Sequence, residues 1–352
     1  MKMTKLFDGT IDLDPTYHGW PTVVRIRGEE LLAVCSGHRE KHVCPFGRVF
    51  LYRSADGGKT WTGPRVLSNG PLDDRDAGIC VTANGWLLVN YFTSTLALFQ
   101  DDPDKPAHWI EQARALTKEQ IEAEHGLWML WSADGGHRWA EKIRIPVNSP
   151  HGPTLLKDGR LFFIGKPASD SLDAQQHGTL HAPGIACAIS GDNGRTWKLV
   201  GPVRLPAGHD PAKCHEPYAI EAPDGRIIAQ IRDHNDPDQI RTWQTESADC
   251  GLTWTEPHLI CDGFPTHLLR FGGDRLLMTY GWRKKPFGIR ARVSDDSART
   301  WGEEIVISDS GLTWDIGYPS SAAMPDGSIF TLWYEFTGKV AQLKYCRWKL
   351  AD

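Results

Sequence analysis

The phrase Ser54-Ala55-Asp56-Gly57-Gly58-Lys59-Thr60-Trp61 constrains this chain more than any other stretch, because it returns four more times. It reads SADGGHRW from Ser132 to Trp139, SGDNGRTW from Ser190 to Trp197, SADCGLTW from Ser247 to Trp254, and SDDSARTW from Ser294 to Trp301. Self-similarity at such intervals marks a radial or stacked array, in which each unit buries its apolar face only against a neighbour. Every copy lies between two apolar runs, as with Val49-Phe50-Leu51-Tyr52 before the first, which places it on a hairpin turn. There the Asp and Ser side chains can bond back to turn amides, Gly supplies positive φ, and Trp can wedge beneath the turn. The aspartates of the phrase therefore read as structural.

Between these phrases a second pattern recurs: a polar or His-rich approach, often a Pro, then an apolar strand, a tight turn and another apolar strand. Its six copies begin at His18-Gly19-Trp20-Pro21, Arg75-Asp76-Ala77-Gly78, His151-Gly152-Pro153, His215-Glu216-Pro217, Phe264-Pro265-Thr266-His267 and Gly317-Tyr318-Pro319. Asn84-Gly85, Asp158-Gly159, Asp224-Gly225 and Asp326-Gly327 sit at the joints and suit two-residue hairpins. Six units and five phrases are reconciled if the phrase joins the third and fourth strands of a blade and Lys5-Leu6-Phe7 supplies the outer strand of the sixth. The expectation is an all-β chain, a single six-bladed β-propeller with four-stranded blades at about 15–68, 74–147, 150–206, 214–261, 264–309 and 315–350, closed by an N-terminal strand at about 4–8. An insertion at about 96–126 interrupts the second blade. It carries one short helix capped by Thr117, read as a surface helix, a lid or a contact between copies.

Composition agrees with many short strands: 35 Gly, 23 Pro and 15 Trp in 352 residues. A net charge of −5 with no basic block argues against a nucleic-acid partner. No apolar run is long enough to span a membrane as a helix. The N-terminal MKMTKLFDGTIDLDP lacks an apolar signal core, and the eight cysteines form no CxxC pair, so the expectation is a cytoplasmic chain with reduced thiols, with a secreted form trimmed of its signal as the alternative. Oligomeric state stays open.

In a propeller the first strands of the blades line the axis, so their starts converge on one channel mouth. Those starts supply His18, Asp76, His151, His215 with Glu216, His267, and Asp315 with Tyr318, more titratable groups than packing selects.

The repeated S-x-D-x-G-x-T-W phrase resembles the Asp-box of the sialidase (neuraminidase) superfamily of β-propellers. Members of that superfamily use a tyrosine nucleophile paired with a glutamate, three arginines that grip the substrate carboxylate, and an aspartate as general acid/base. The segment from Gly317 to Glu335 is similar to the one bearing the nucleophile, which makes Tyr318 the candidate. By the same resemblance Glu216 takes the partner role, Arg232 is the second arginine, and Arg283, in Tyr280-Gly281-Trp282-Arg283, is the third. Where the superfamily has Phe/Tyr-Arg-Ile-Pro, this chain has His18-Gly19-Trp20-Pro21, and the following loop, Ser36 to Pro45, holds no aspartate. Arg39 is the candidate replacement for the first arginine, and Glu40, His42 or Asp76 for the proton donor. His18, Trp20, His151, His215 and His267 complete the expected substrate-binding wall.

The implied activity is exo-acting hydrolysis of an acidic sugar other than ordinary sialic acid, with no cofactor. Two rivals remain open. One is β-elimination from a uronic acid by a His/Tyr318 pair with Arg232 and Arg283 neutralising the carboxylate; the other is a glycan-binding propeller without catalysis. A metal held by His18, His151, His215 and His267 would need ligands from four blades without the short spacings metal sites show. Cys44 and Cys214 lack an orienting Asn or Asp for nucleophilic work.

Overall fold

Apolar runs bounded by turn residues fold as strands, and in the computed structural model these gather into six sheets around an axis. The structure describes residues 2–11, 13–94, 96, 99, 102, 104–169 and 182–351; of the expected insertion, residues 97, 98, 100, 101 and 103 lie outside this set. The innermost strands, blade by blade, are Tyr17–Arg27, Asp73–Val81, the interrupted pair Val147–Asn148 and Thr154–Leu155, Cys214–Glu221, Thr266–Phe271 and Ile316–Ala323. Each blade meanders outward from there through antiparallel neighbours. The sixth is completed by Met3–Ile11, which pairs with Ala341–Leu350 from Met3↔Leu350 to Ile11↔Leu343 and so removes an open sheet edge.

Six apolar clusters fill the six blade-to-blade interfaces. Leu32, Val34 and Leu51 of blade 1 meet Ile79, Leu87 and Val89 of blade 2, and Tyr52 and Ala33 meet Phe330, Leu332 and Tyr334 of blade 6. Fully burying a side chain of this size contributes ~1.5–3 kcal/mol, so the ring is held by summed neighbour contacts and not by one central core. The repeated phrase joins third to fourth strands as expected. In its first copy Ser54 Oγ donates to Asp56 Oδ1 at 2.9 Å and accepts from the Gly58 amide at 2.9 Å. Asp56 also accepts from the Thr60 amide (2.9 Å) and hydroxyl (2.6 Å), and the Trp61 indole donates to Gly58 O at 3.1 Å. Gly58, at φ +92, lies so close to Phe330 of the preceding blade that a Cβ would fall 2.1 Å from its ring. The last copy, with Ala298 in the glycine place at φ 63, keeps the turn, and its Trp301 donates instead to Gln244 of blade 4 at 3.0 Å.

Five of the six innermost strands break register at a non-glycine residue in left-handed conformation: Trp20 (φ 56), Asp76 (φ 50), His151 (φ 74), Glu216 (φ 46) and Tyr318 (φ 52). The ladder skips across Gly19/Thr22, Arg75/Gly78, His215/Tyr218 and Gly317/Ser320, and blade 3 is interrupted around His151. Blade 5 alone pairs Thr266 to Phe271 without a break. Left-handed backbone costs such residues ~1–2 kcal/mol each, and a bulge re-aims the side chain it carries.

The insertion contains two helices among the described residues, Ala107–Arg114 and Lys118–Glu124; the sequence pattern anticipates the second, with its Thr117/Gln120 capping box, and misses the first. The first is docked. Trp109 and Ala113 pack with Cys44, Leu72, Leu96 and Phe99, while Glu40 accepts from Trp109 Nε1 at 2.8 Å and meets His108 Nε2 at 3.0 Å. The insertion is thus fastened to the 40–46 loop of blade 1.

Candidate active site

The bulges of blades 4 and 6 bring together residues 102 positions apart. The Tyr318 hydroxyl donates a short hydrogen bond to Glu216 Oε1, while Arg232 Nη1 donates to Glu216 Oε2 at 2.5 Å and to the Tyr318 hydroxyl at 3.1 Å. Arg232 comes from the strand beside Glu216, with His215 opposite it in register. Burial pushes the Tyr318 phenol well above its ordinary value and Glu216 adds to this, against the pull of Arg232 and Arg283. Burial also opposes ionisation of Glu216, but Arg232, the Tyr318 hydroxyl and His215 more than offset it and hold the carboxyl at about 2. The resting pair is a neutral phenol hydrogen-bonded to a carboxylate, which is the arrangement for handing over the phenol proton.

Arg283 lies on the outer side of this pair. It donates to Ile316 O at 2.8 Å and to the Tyr334 hydroxyl at 3.2 Å, and with Arg232 it stacks on Phe264, at 5.2 and 4.6 Å respectively. Both arginines line a cleft of about 390 Å³ together with His234, Lys284 and the exposed Trp314. Two guanidinium groups fixed over one ring are an arrangement able to hold an anion.

Asp76, on the blade 2 bulge, is pushed up to about 7 by burial, with Glu216 adding and Arg75 opposing, and its Oδ1 has no partner among the described residues. The adjacent Arg75, which the sequence pattern passes over, lies 4.8 Å over the Trp20 ring and reaches Asp73 only at 3.9 Å; its Nε is likewise unpartnered among the described residues. Arg39 also lies over Trp20, at 4.9 Å, but it is buried and both its terminal nitrogens are held by Asp73, at 2.6 and 3.0 Å, with only its Nε unpartnered among the described residues. Arg39 is therefore neither a free loop charge nor available to replace the absent first arginine, whereas Arg75 is held by Asp73 only at 3.9 Å. Its signal in the sequence is its place beside Asp76 at a strand start.

His18 does not reach the mouth. Neighbouring strand residues face opposite ways, and it is Tyr17 that turns inward while His18 lies inside blade 1, bonded to Thr16 O (2.9 Å) and the Tyr52 hydroxyl (2.8 Å). Glu40, held by Trp109 and His108, is an anchor of the insertion. His42 does belong to the site: its Nδ1 lies 3.0 Å from Asp315 Oδ1 and 2.7 Å from the Tyr17 hydroxyl, and its ring stands edge-on to Trp20 at 5.2 Å. Asp315 also accepts from Tyr17 (2.9 Å) and Tyr334 (2.9 Å); burial would raise it, but His42 and the two hydroxyls hold it below the usual carboxylate range.

His151 and His267 pack 5.1 Å apart beneath the pocket, His267 stacked on Tyr218 at 4.7 Å, at the head of a lower channel lined by Thr22, Thr154 and Ser321. Burial keeps both uncharged, His151 at about 3. They form the floor. His215 stands against His234 at 5.1 Å, both pulled down to about 4 by burial first; His234 has no place in the repeat pattern and is missed for that reason. Of the four histidines weighed as metal ligands only His151 and His267 meet, and among the described residues no three His, Cys, Asp or Glu side chains are grouped to hold an ion. Cys214 is buried and its thiol pushed up to about 12, which removes it as a nucleophile.

A family model for the BNR repeat-like domain matches residues 31–331. A sialidase of Bacteroides fragilis (strain YCH46) is 24% identical over 335 residues, covering 86% of this chain and 56% of that protein, so the chain spans little more than half of its relative. Among solved structures, a protein of unknown function from Dyadobacter fermentans DSM 18053 superposes with a TM-score of 0.78 at 23% identity, over 99% of both chains. Trypanosoma rangeli sialidase in complex with sialic acid gives 0.62 at 16% identity, over 98% of this chain and 58% of that one. At such identities these structures speak for the fold.

Proposed function

This chain belongs to the BNR repeat-like family of sialidase-type propellers, and from that premise we propose that it is a glycoside hydrolase releasing an acidic sugar, with Tyr318 as nucleophile. The observation that carries the reading is the buried hydrogen-bonded trio Tyr318–Glu216–Arg232. The Tyr318 oxygen attacks the anomeric carbon as its proton passes to Glu216, and Arg232 favours the phenolate character that develops. The sugar carboxylate is held by Arg232 and Arg283 over Phe264, with Arg75 facing the sugar from blade 2. Because no arginine stands at Gly19, the anion is gripped from a different set of directions than the resemblance implies, which supports an acidic sugar other than ordinary sialic acid. Departure of the aglycone needs a proton, and Asp76 and His42 are the candidates to give one.

The test is a panel of 4-methylumbelliferyl glycosides of sialic and uronic acids with wild type, Tyr318→Phe and Glu216→Gln. Fluorescence released by wild type and lost in Tyr318→Phe supports the assignment. Full activity in Tyr318→Phe removes it. An unsaturated uronate chromophore from oligosaccharides, with no new reducing end, would establish the elimination chemistry instead, and binding without turnover a glycan-binding propeller.

A further inference from the structure

Resting on that reading, we propose that His42, oriented by Asp315 and Tyr17, is the proton donor to the leaving group and the base for the returning water. The cluster is built from three places: the 40–46 loop of blade 1, the start of its innermost strand, and the approach to blade 6. Asp315 Oδ1 is a pure acceptor 3.0 Å from His42 Nδ1, so that nitrogen carries a hydrogen. The Tyr17 hydroxyl spends its own hydrogen on Asp315 (3.0 and 2.9 Å) and offers a second acceptor to Nδ1 at 2.7 Å. The tautomer is thereby fixed, and Nε2 is left for chemistry.

Position supports the role. His42 and Tyr318 flank the same two aromatic side chains: Trp20, 5.2 Å from His42 and 6.3 Å from Tyr318, and Tyr334, at 6.4 and 5.8 Å. Trp20 and Tyr334 are both buried, so they pack between the nucleophile and the imidazole and fix the span that a bound sugar would have to bridge. His42 is also a third exposed where Tyr318 is buried, as suits a group that meets a departing aglycone and an incoming water. Glu40, two residues away, is clamped by Trp109 and His108, so the insertion holds the loop in place.

The proton balance closes. In the first step the Tyr318 oxygen bonds to the anomeric carbon and gives its proton to Glu216. The bond to the aglycone oxygen breaks, and that oxygen takes the Nε2 proton of the imidazolium. In the second step water attacks the anomeric carbon and yields a proton to Nε2, while the sugar–Tyr318 bond breaks and the phenolate regains its proton from Glu216. Asp315 is a positioning residue throughout.

The experiment compares His42→Gln, Asp315→Asn and Asp76→Asn on aryl and methyl glycosides of whichever panel sugar wild type cleaves. It is paired with long-range 1H–15N spectra of the imidazoles of the wild-type protein. Expected is a loss of about 10²-fold or more on the methyl glycoside in His42→Gln with a much smaller loss on the aryl glycoside, which leaves without a proton. The alkaline fall of the pH profile should vanish in that variant, azide should restore turnover, and His42 should show a protonated Nδ1. Asp315→Asn should shift the profile without abolishing either limb. If Asp76→Asn shows the leaving-group dependence and His42→Gln does not, or if Nδ1 of His42 is unprotonated, the proposal is overturned. If wild type cleaves no glycoside of the panel, it is the hydrolase reading that falls, and the spectra still decide the dyad.

Discussion

The outer turns and the inner bulges of this propeller are both fivefold repeats, yet they repeat different things. At the outer turns the side chains recur: Ser54, Ser132, Ser190, Ser247 and Ser294 each bond the aspartate two residues on, at 2.8 to 2.9 Å. At the inner bulges only the backbone recurs. Trp20, Asp76, His151, Glu216 and Tyr318 share a left-handed φ and nothing else. Where the side chain is repeated it serves the fold, since each turn solves the same local problem of unpaired amides. Where the backbone is repeated and the side chain is not, the fold has made five equivalent brackets and hung different chemistry on each. Strain at the bulges is tolerated because the ring over-determines them.

Substitution should separate the two classes sharply. The largest effect is expected at the inner class: Tyr318→Phe should lower kcat by about 10³-fold or more, while thermal unfolding moves by no more than ~2 °C. An unchanged kcat would mean that this bulge is as purely structural as the turns. The converse is Asp56→Ala, which removes three hydrogen bonds of the first box and should cost ~1–3 kcal/mol in denaturant unfolding, with kcat per folded molecule unchanged. A loss of kcat at constant fold there would break the comparison.

Aspartates in the two classes should also respond to pH with opposite sign. Asp249 of the fourth box, held at about 2 by Thr253 first, binds fewer protons folded than unfolded. Its contribution is present above the unfolded value of about 3.9 and lost as pH falls through the folded one. Asp76, raised by burial to about 7, binds more protons folded, so stability falls as pH climbs from about 4 to 7. Melting curves of Asp76→Asn against wild type should diverge over that window, the variant growing relatively more stable, and parallel curves would refute the burial argument. The smallest effect is expected at Ala298, left-handed at the box position where all four other copies have glycine: Ala298→Gly should stabilise by ~0.5–1 kcal/mol.

The sequence by itself determined the ring. Turn chemistry, strand alternation and the need to close an edge are local or pairwise, so blade count, box placement and the docking of Met3–Ile11 were all legible from residue order. It also made Tyr318 and Glu216 legible as candidates, through resemblance and their place at strand starts, and Arg232 and Arg283 through resemblance alone. Only the tertiary structure decided which neighbours each group meets. Strand parity turned Tyr17 inward and His18 away, Asp73 claimed Arg39 and left Arg75 open, and Asp315 found His42 across 273 residues. Such pairings depend on ångström distances between blades, and no spacing along the chain encodes them.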